Sequence, residues 1–230
     1  MADEEHLIPT PPRKEDILFR DGLPDCGNNA CLHIWGAGSD QHGYTEGYRR
    51  GARVLVEYVR EQQRDQDYLV YPIIFLYRHH IELALKTIIR HAPYIIDRDL
   101  SGVEKQHLGR HRLDVLWQDL KPTFADVCKA VGWDKISPAD EEGIDSYISQ
   151  FTELDPESFS FRYTRSKKGL PSLPLELRRI NLRHFAETVE RLADYFDALD
   201  MAVSVLVQEK GEMEAEWRRE EASCYDGDHA

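Results

Sequence analysis

Arg78, His79, His80 and Glu82 stand in the middle of YPIIFLYRHHIELALKTIIR, an otherwise strongly apolar run from Tyr71 to Arg90. Polar groups on such a background must be paired once buried, so they form a structural clamp, one wall of a site, or both. Arginine offers a permanently charged fork for a carboxylate or a phosphate, and histidine exchanges protons near neutral pH. Glu82 follows Arg78 by one helical turn; it can orient the fork or, with a raised pKa, act as a base. At 100° per residue His79 turns toward the Lys86 side and His80 toward Ile73, Ala84 and Thr87, so the two histidines diverge.

Three further clusters extend this chemistry. His111 in GRHRLDVLW precedes an apolar helix, where it either caps and packs or reaches the Arg78 helix as a proton carrier or phosphate contact. In DPESFSFRYT, a strand reading puts Ser160, Arg162 and Thr164 on one polar face. Ser160 and Arg162 then suit an anionic substrate, unless Arg162 closes internally on Asp155 or Glu82. RRINLRH sets four residues between Arg179 and His184, and five between Arg178 and His184. His107 and His111 are four apart with no third ligand in view, and Cys26, Cys31, His33, Asp40 and His42 follow no zinc spacing. No metal and no cofactor is expected. The chain has no Gly-rich phosphate loop, no H-E-x-x-H and no G-x-S-x-G, which removes several common enzyme classes.

These residues need elements to position them, and the periodicity predicts mostly helices. Helical spacing begins near Tyr44, with Val54, Leu55, Tyr58 and Val59 as the apolar face, and the RDQD stretch ends it. Pro72 suits the first turn of the next helix, whose stripe holds Tyr71, Ile74, Ile81, Leu85, Ile88 and Ile89. Leu113, Leu116, Trp117 and Leu120 form another face, with Pro122 as a stop or a new start before a short helix in FADVCKAVGW. Ser137 or Asp140 opens a helix with Ile144, Tyr147, Ile148 and Phe151 inward. Phe159, Phe161 and Tyr163 alternate with polar residues as a strand would, and SKKG can turn it back as a hairpin over residues 158–175. Helical spacing returns in LELRRINLRHFAETVERLADYFDALDMAVSVLVQEK, with Leu182, Phe185, Val189, Leu192 and Phe196 inward. CLHIW near the N-terminus reads as a short extended segment, with Trp35 packed on the helical body.

The expected fold is therefore all-α, a helical bundle with a small β-hairpin excursion. Residues 1–43 read as an N-terminal extension, 44–205 as the bundle and 206–230 as an acidic C-terminal extension. At 31% charged and 41% hydrophobic residues the composition is that of an ordinary folded chain, and no run is long enough to span a membrane, so a cytoplasmic location is expected. A net charge of −13 argues against a broad basic surface that coats nucleic acid, while leaving room for a small basic cleft. The four cysteines lack a C-x-x-C pair, in a chain large enough to fold without disulfides.

With its R-x4-H element and helical organisation over roughly 44–205, the chain resembles the HEPN helical-domain superfamily. That resemblance implies metal-independent RNA cleavage by Arg179 and His184 in members that pair two subunits, although Ile180 departs from the polar residue usual after the arginine. The resulting expectation is an RNA- or nucleotide-phosphate-binding protein that cleaves RNA, with a homodimer or a partner protein. In it Arg78, Ser160 and Arg162 bind substrate, and His79, Glu82, His111, Arg179 and His184 serve catalysis. The alternative is a non-catalytic helical interaction module, as in a defence or toxin–antitoxin system.

Overall fold

The computed structural model describes residues 11–15, 18–19, 26–32 and 40–227. After a 3-10 turn at Cys26–Asn28 come six α-helices: α1 (Asp40–Gln62), α2 (Gln66–Ile95), α3 (Gly102–Leu108), α4 (Leu113–Val131), α5 (Pro138–Leu154) and α6 (Leu182–Gly227). Helix α2 is the axis of the bundle, with α1, α4 and α6 packed around it. Being wrapped on several sides explains its all-round burial, which takes in Ile73, Ile81, Ala84, Leu85, Ile88 and Ala92 as well as Arg78, His80 and Glu82. Helix α5 lies against α4 and α6, and the short α3 against α4.

Local chemistry accounts for the boundaries. Gln63 and Asp65 take positive φ values of 53° and 64°, turning the chain sharply between α1 and α2. Ser101 and Glu104 form a reciprocal capping box on α3, and Ser137 caps α5 with Pro138 in its first turn. Gly132 ends α4 in the left-handed conformation at φ 75°, where a side chain would be strained.

The expected β-hairpin over 158–175 does not form. Asp155 captures the amides of Phe159 (2.5 Å) and Ser160 (2.7 Å), Ser158 adopts φ 57°, and the Phe159 carbonyl accepts from both Arg162 and Tyr163. The backbone therefore coils where the alternation of rings suggested extension. Only an antiparallel bridge between Arg165 and Pro171 remains, and Pro171 and Pro174 lack the amides a ladder would need.

Other boundaries also moved. Pro72 sits inside α2 rather than in its first turn, Pro93 lies inside it too, and α4 runs straight through Pro122. A proline removes one internal hydrogen bond, and buried neighbours such as Leu120, Phe124 and Val127 hold α4 continuous. Val54 and Tyr71 are exposed, and Ala52 takes the inward place on α1. Helix α6 starts at Leu182, so Arg178 and Arg179 precede it in irregular chain, and it carries on to Gly227 as one helix past residue 205. Most of the CLHIW segment, including Trp35, lies outside the described residues, as does His33 of the cysteine–histidine cluster. Among the described residues no helix is long and apolar enough to cross a membrane.

Candidate functional site

Glu82 is completely buried on α2, and three side chains converge around it. Its Oε2 accepts from Arg78 at 3.1 Å; its Oε1 accepts from Lys86 at 2.8 Å and faces His111 Nδ1 at 2.7 Å. Burial pushes its carboxyl upward in pKa, but the hydrogen bonds from Lys86 and His111 outweigh that and leave it below its ordinary value. Glu82 is thus an anion at neutral pH. It orients its neighbours and is not the raised-pKa base the sequence allowed for.

Arg78 is equally buried, at 1% exposure, and its guanidinium is occupied from within. Besides Glu82 it donates Nε to the Asp155 carbonyl (3.1 Å) and Nη2 to the carbonyls of His111 (2.5 Å) and Pro156 (3.4 Å). Burial pulls its pKa down, opposed by the charges of Asp155 and Glu82. One side chain so ties α2 to the start of α4 and to the turn after α5. At 1% exposure, with all three nitrogens already donating, the guanidinium is closed to a phosphate from solvent, so Arg78 acts as a clasp that supports the site and not as its open ligand.

His111 is the open member of the group. Its side chain is 52% exposed although its Nδ1 rests on the buried Glu82. With Nδ1–H donating to the carboxylate, Nε2 keeps its lone pair and can take up a proton, which is the logic of an oriented histidine base. His79 lies one layer away, half-buried between Phe75, on which it stacks at 5.5 Å, and Tyr48, which meets it edge-on at 4.4 Å. Burial lowers its pKa, which favours the neutral ring. Arg162 completes the neighbourhood: it is exposed, donates Nε to the Ser158 carbonyl at 2.5 Å, and lies 5.3 Å from the Phe75 ring centre. It closes onto neither Asp155 nor Glu82. The backbone amide of Ser160 is held by Asp155, leaving the residue partly exposed beside Arg162.

No family model, curated protein or solved structure matches the chain.

Arg179 and His184 stand apart from this group. Asn181 accepts from the His184 amide at 3.0 Å and so starts α6, placing an exposed His184 in its first turn. His184 borders an apolar cavity of about 220 Å³ with Phe151, Phe161 and Phe185 among its walls, whereas Arg178 and Arg179 line an adjoining one of about 430 Å³ with Gln66 and Asp67. His107 pairs with Asp119 at 2.8 Å, so it and His111 serve different carboxylates. Among the described residues no three His, Cys, Asp or Glu side chains are grouped as a metal site.

A second polar network escaped the sequence reading. Arg49 of α1, 4% exposed, pairs with Glu190, Asp194 and Asp197 of α6, and Arg53 and Tyr77 also donate to Glu190. His80, fully buried, has Nδ1 3.0 Å from the Thr45 carbonyl and Nε2 3.4 Å from Asp197. The signal was present in the spacing of 190, 194 and 197 along one side of α6, but nothing in the sequence says that Arg49 faces it. Asp155 was read only as a possible partner of Arg162, and its support of Arg78 and of the 158–163 coil depends on the folded arrangement.

Proposed function

We propose that the chain binds the phosphate of RNA or of a nucleotide with His111, His79 and Arg162, and that it cleaves RNA there without a metal. The observation that carries this reading is the half-exposed His111 whose Nδ1 is fixed 2.7 Å from a buried, ionised Glu82. In this reading His111 Nε2 takes the proton of the 2′-hydroxyl as that oxygen bonds to phosphorus. The bond from phosphorus to the 5′-oxygen breaks, and water at the open edge protonates the departing oxygen. Arg162 offsets charge on the phosphoryl oxygens, and neutral His79 offers them a hydrogen bond. Arg78 and Lys86 keep Glu82 charged and in place. The likeness to HEPN proteins supports the same reaction class from a different pair, Arg179 and His184, which a second subunit would have to complete.

The test is cleavage of a labelled oligoribonucleotide in the presence of a chelator. Wild-type protein is expected to cut it and leave a 2′,3′-cyclic phosphate, and His111→Ala to lower the rate about 10²–10⁴-fold. Equal cutting of a strand with a 2′-deoxy residue at the cleavage position would rule this mechanism out. Loss of activity in His184→Ala but not in His111→Ala would move the chemistry to the R-x4-H element.

A second reading, the non-catalytic helical interaction module, draws on Met213 and Trp217, 64% and 74% exposed one turn apart near the end of α6. A reproducible protein partner lost in Trp217→Ala, together with no RNA or nucleotide binding, would favour it.

A further inference from the structure

Between Ser158 and Leu173 the chain carries four cations, Arg162, Arg165, Lys167 and Lys168, and no acid, within a protein of net charge −13. Rings are interleaved with them. Phe159 and Tyr163 stack with centres 4.5 Å apart, and the Arg162 guanidinium lies 5.6 Å from the Tyr163 ring centre and 5.3 Å from that of Phe75. Phe75 in turn stacks on His79, and His79 meets Tyr48. Planar groups thus run without a break from the 158–163 coil across α2 to α1, passing the neighbourhood of His111.

The outer end of this run is open. Tyr163 is 53% exposed, and Arg162 spends only Nε on an internal acceptor, its two terminal nitrogens having no hydrogen bond to a described residue. Lys167 and Lys168 are exposed and form no ion pair with a described residue, and Arg165 makes one bond, to the Gly169 carbonyl at 2.7 Å. Cations alone would suit any acidic partner. A half-exposed Tyr163 ring flanked by unspent cations suits a partner that alternates flat apolar groups with anions at short intervals, which describes an unpaired nucleic-acid strand. A duplex hides its base faces, and an acidic peptide has none to offer.

We infer that the Ser158–Leu173 segment, with Phe75 and His79, is a stacking platform that holds an unpaired nucleic-acid strand, a base lying on Tyr163 and phosphates on Arg162, Arg165, Lys167 and Lys168. The inference rests on the phosphate-binding reading above and specifies the form of the substrate. Stacking does not sense the 2′-hydroxyl, so single-stranded DNA binds as well as RNA and acts as an uncleaved competitor.

Fluorescence anisotropy with end-labelled twelve-residue strands tests this. RNA and DNA single strands are expected to bind alike, and a DNA duplex more weakly. Tyr163→Ala should weaken strand binding about tenfold while Tyr163→Phe retains it, since only the ring face is used. The triple variant Arg165→Ala, Lys167→Ala, Lys168→Ala should flatten the dependence of log affinity on log salt by about 2. Thermal melts of each variant check that the fold is intact. Unchanged strand binding by Tyr163→Ala overturns the platform, as does displacement of the strand by poly-glutamate as efficient as by unlabelled strand. Tyr163-dependent binding without RNA cleavage supports the platform and removes the cleavage reading. Cleavage that needs His111 but has the same kcat/KM in Tyr163→Ala does the reverse.

Discussion

At the scale of single residues, exposure separates support from chemistry within one hydrogen-bonded group. Glu82, Arg78 and Lys86 are buried and spend their polar atoms on one another, on nearby carbonyls and on His111, whereas the His111 ring opens to solvent. His111→Ala should therefore leave stability within about 1 kcal/mol of wild type while removing activity, because Glu82 keeps Lys86 and Arg78. Glu82→Gln should cost both, since two buried cations lose their anion; urea unfolding and cleavage rates measured on the same samples distinguish the pair. Asp200 offers a separate test through pH. Burial, reinforced by Asp197, raises its pKa from the ordinary 3.8 to about 6, and its Oδ1 has no hydrogen-bond partner among the described residues. Its folded pKa lies above the unfolded one, so its contribution is most favourable below about pH 4 and is lost as pH rises through 6. Asp200→Asn should accordingly stabilise the protein at pH 7.5 by about 1–3 kcal/mol, a gain that shrinks toward pH 4. Paired melting curves at the two pH values read this directly. Glu190 and Glu104 act in the opposite sense. Both are held at about 2, Glu190 by Arg53, Arg49 and Tyr77 against burial and Glu104 chiefly by Arg98, so the stability they supply is lost as pH falls from the ordinary glutamate value toward 2.

At the scale of elements, two arginines fasten helices that apolar packing alone would leave free to slide. Arg78 joins α2 to the α4 entry and to the turn after α5; Arg49 joins α1 to three acids of α6. Their surroundings predict unequal costs. Arg78→Met strands a buried carboxylate and should lower unfolding free energy by about 3–5 kcal/mol, whereas Arg49→Met, whose partner Asp194 is mostly exposed, should cost about 1–3 kcal/mol. Denaturant titration with matched m-values checks both. The helices themselves were largely legible beforehand: the inward stripes of α4, α5 and α6 hold Leu116, Trp117, Ile144, Ile148, Val189 and Phe196 at 5% exposure or less. The hairpin was not. A ring alternation of period two reads as a strand only while nothing local competes, and Asp155 competes by capping two amides in a row. Proline as a helix boundary failed at Pro72, expected in a first turn, and at Pro122, expected as a stop or a new start, for a related reason, the buried faces on either side outweighing one missing bond.

At the scale of the whole molecule, charge and shape divide the labour. The excess of acid keeps phosphates from adhering broadly, so any strand must be drawn to the cationic 158–173 segment, and its affinity should fall steeply with salt. Helix α6 is fastened along its length as far as Lys210, which donates to the Tyr94 carbonyl at 2.8 Å, and Glu214, which accepts from the Tyr94 hydroxyl at 2.8 Å. Removing residues 220–230 leaves those contacts untouched. The melting temperature of such a truncation should stay within about 2 °C of the full chain, and a larger fall would mean that the helix end packs on something these contacts do not include.

By itself the sequence determined the all-α class, the inward stripes of α4, α5 and α6, the pairing of Arg78 with Glu82 and the divergence of His79 from His80, because helical period is a local property written in residue types. Only the tertiary structure decided which of those polar groups are open. That Glu82 receives His111 from the loop between α3 and α4, that Arg78 is spent on carbonyls from two loops, and that Arg162 aligns with Phe75 and not with Asp155 are contacts between residues up to 87 positions apart in the chain, as Phe75 and Arg162 are. No spacing rule reaches across such separations; the packing of α2 at the centre of the bundle sets them.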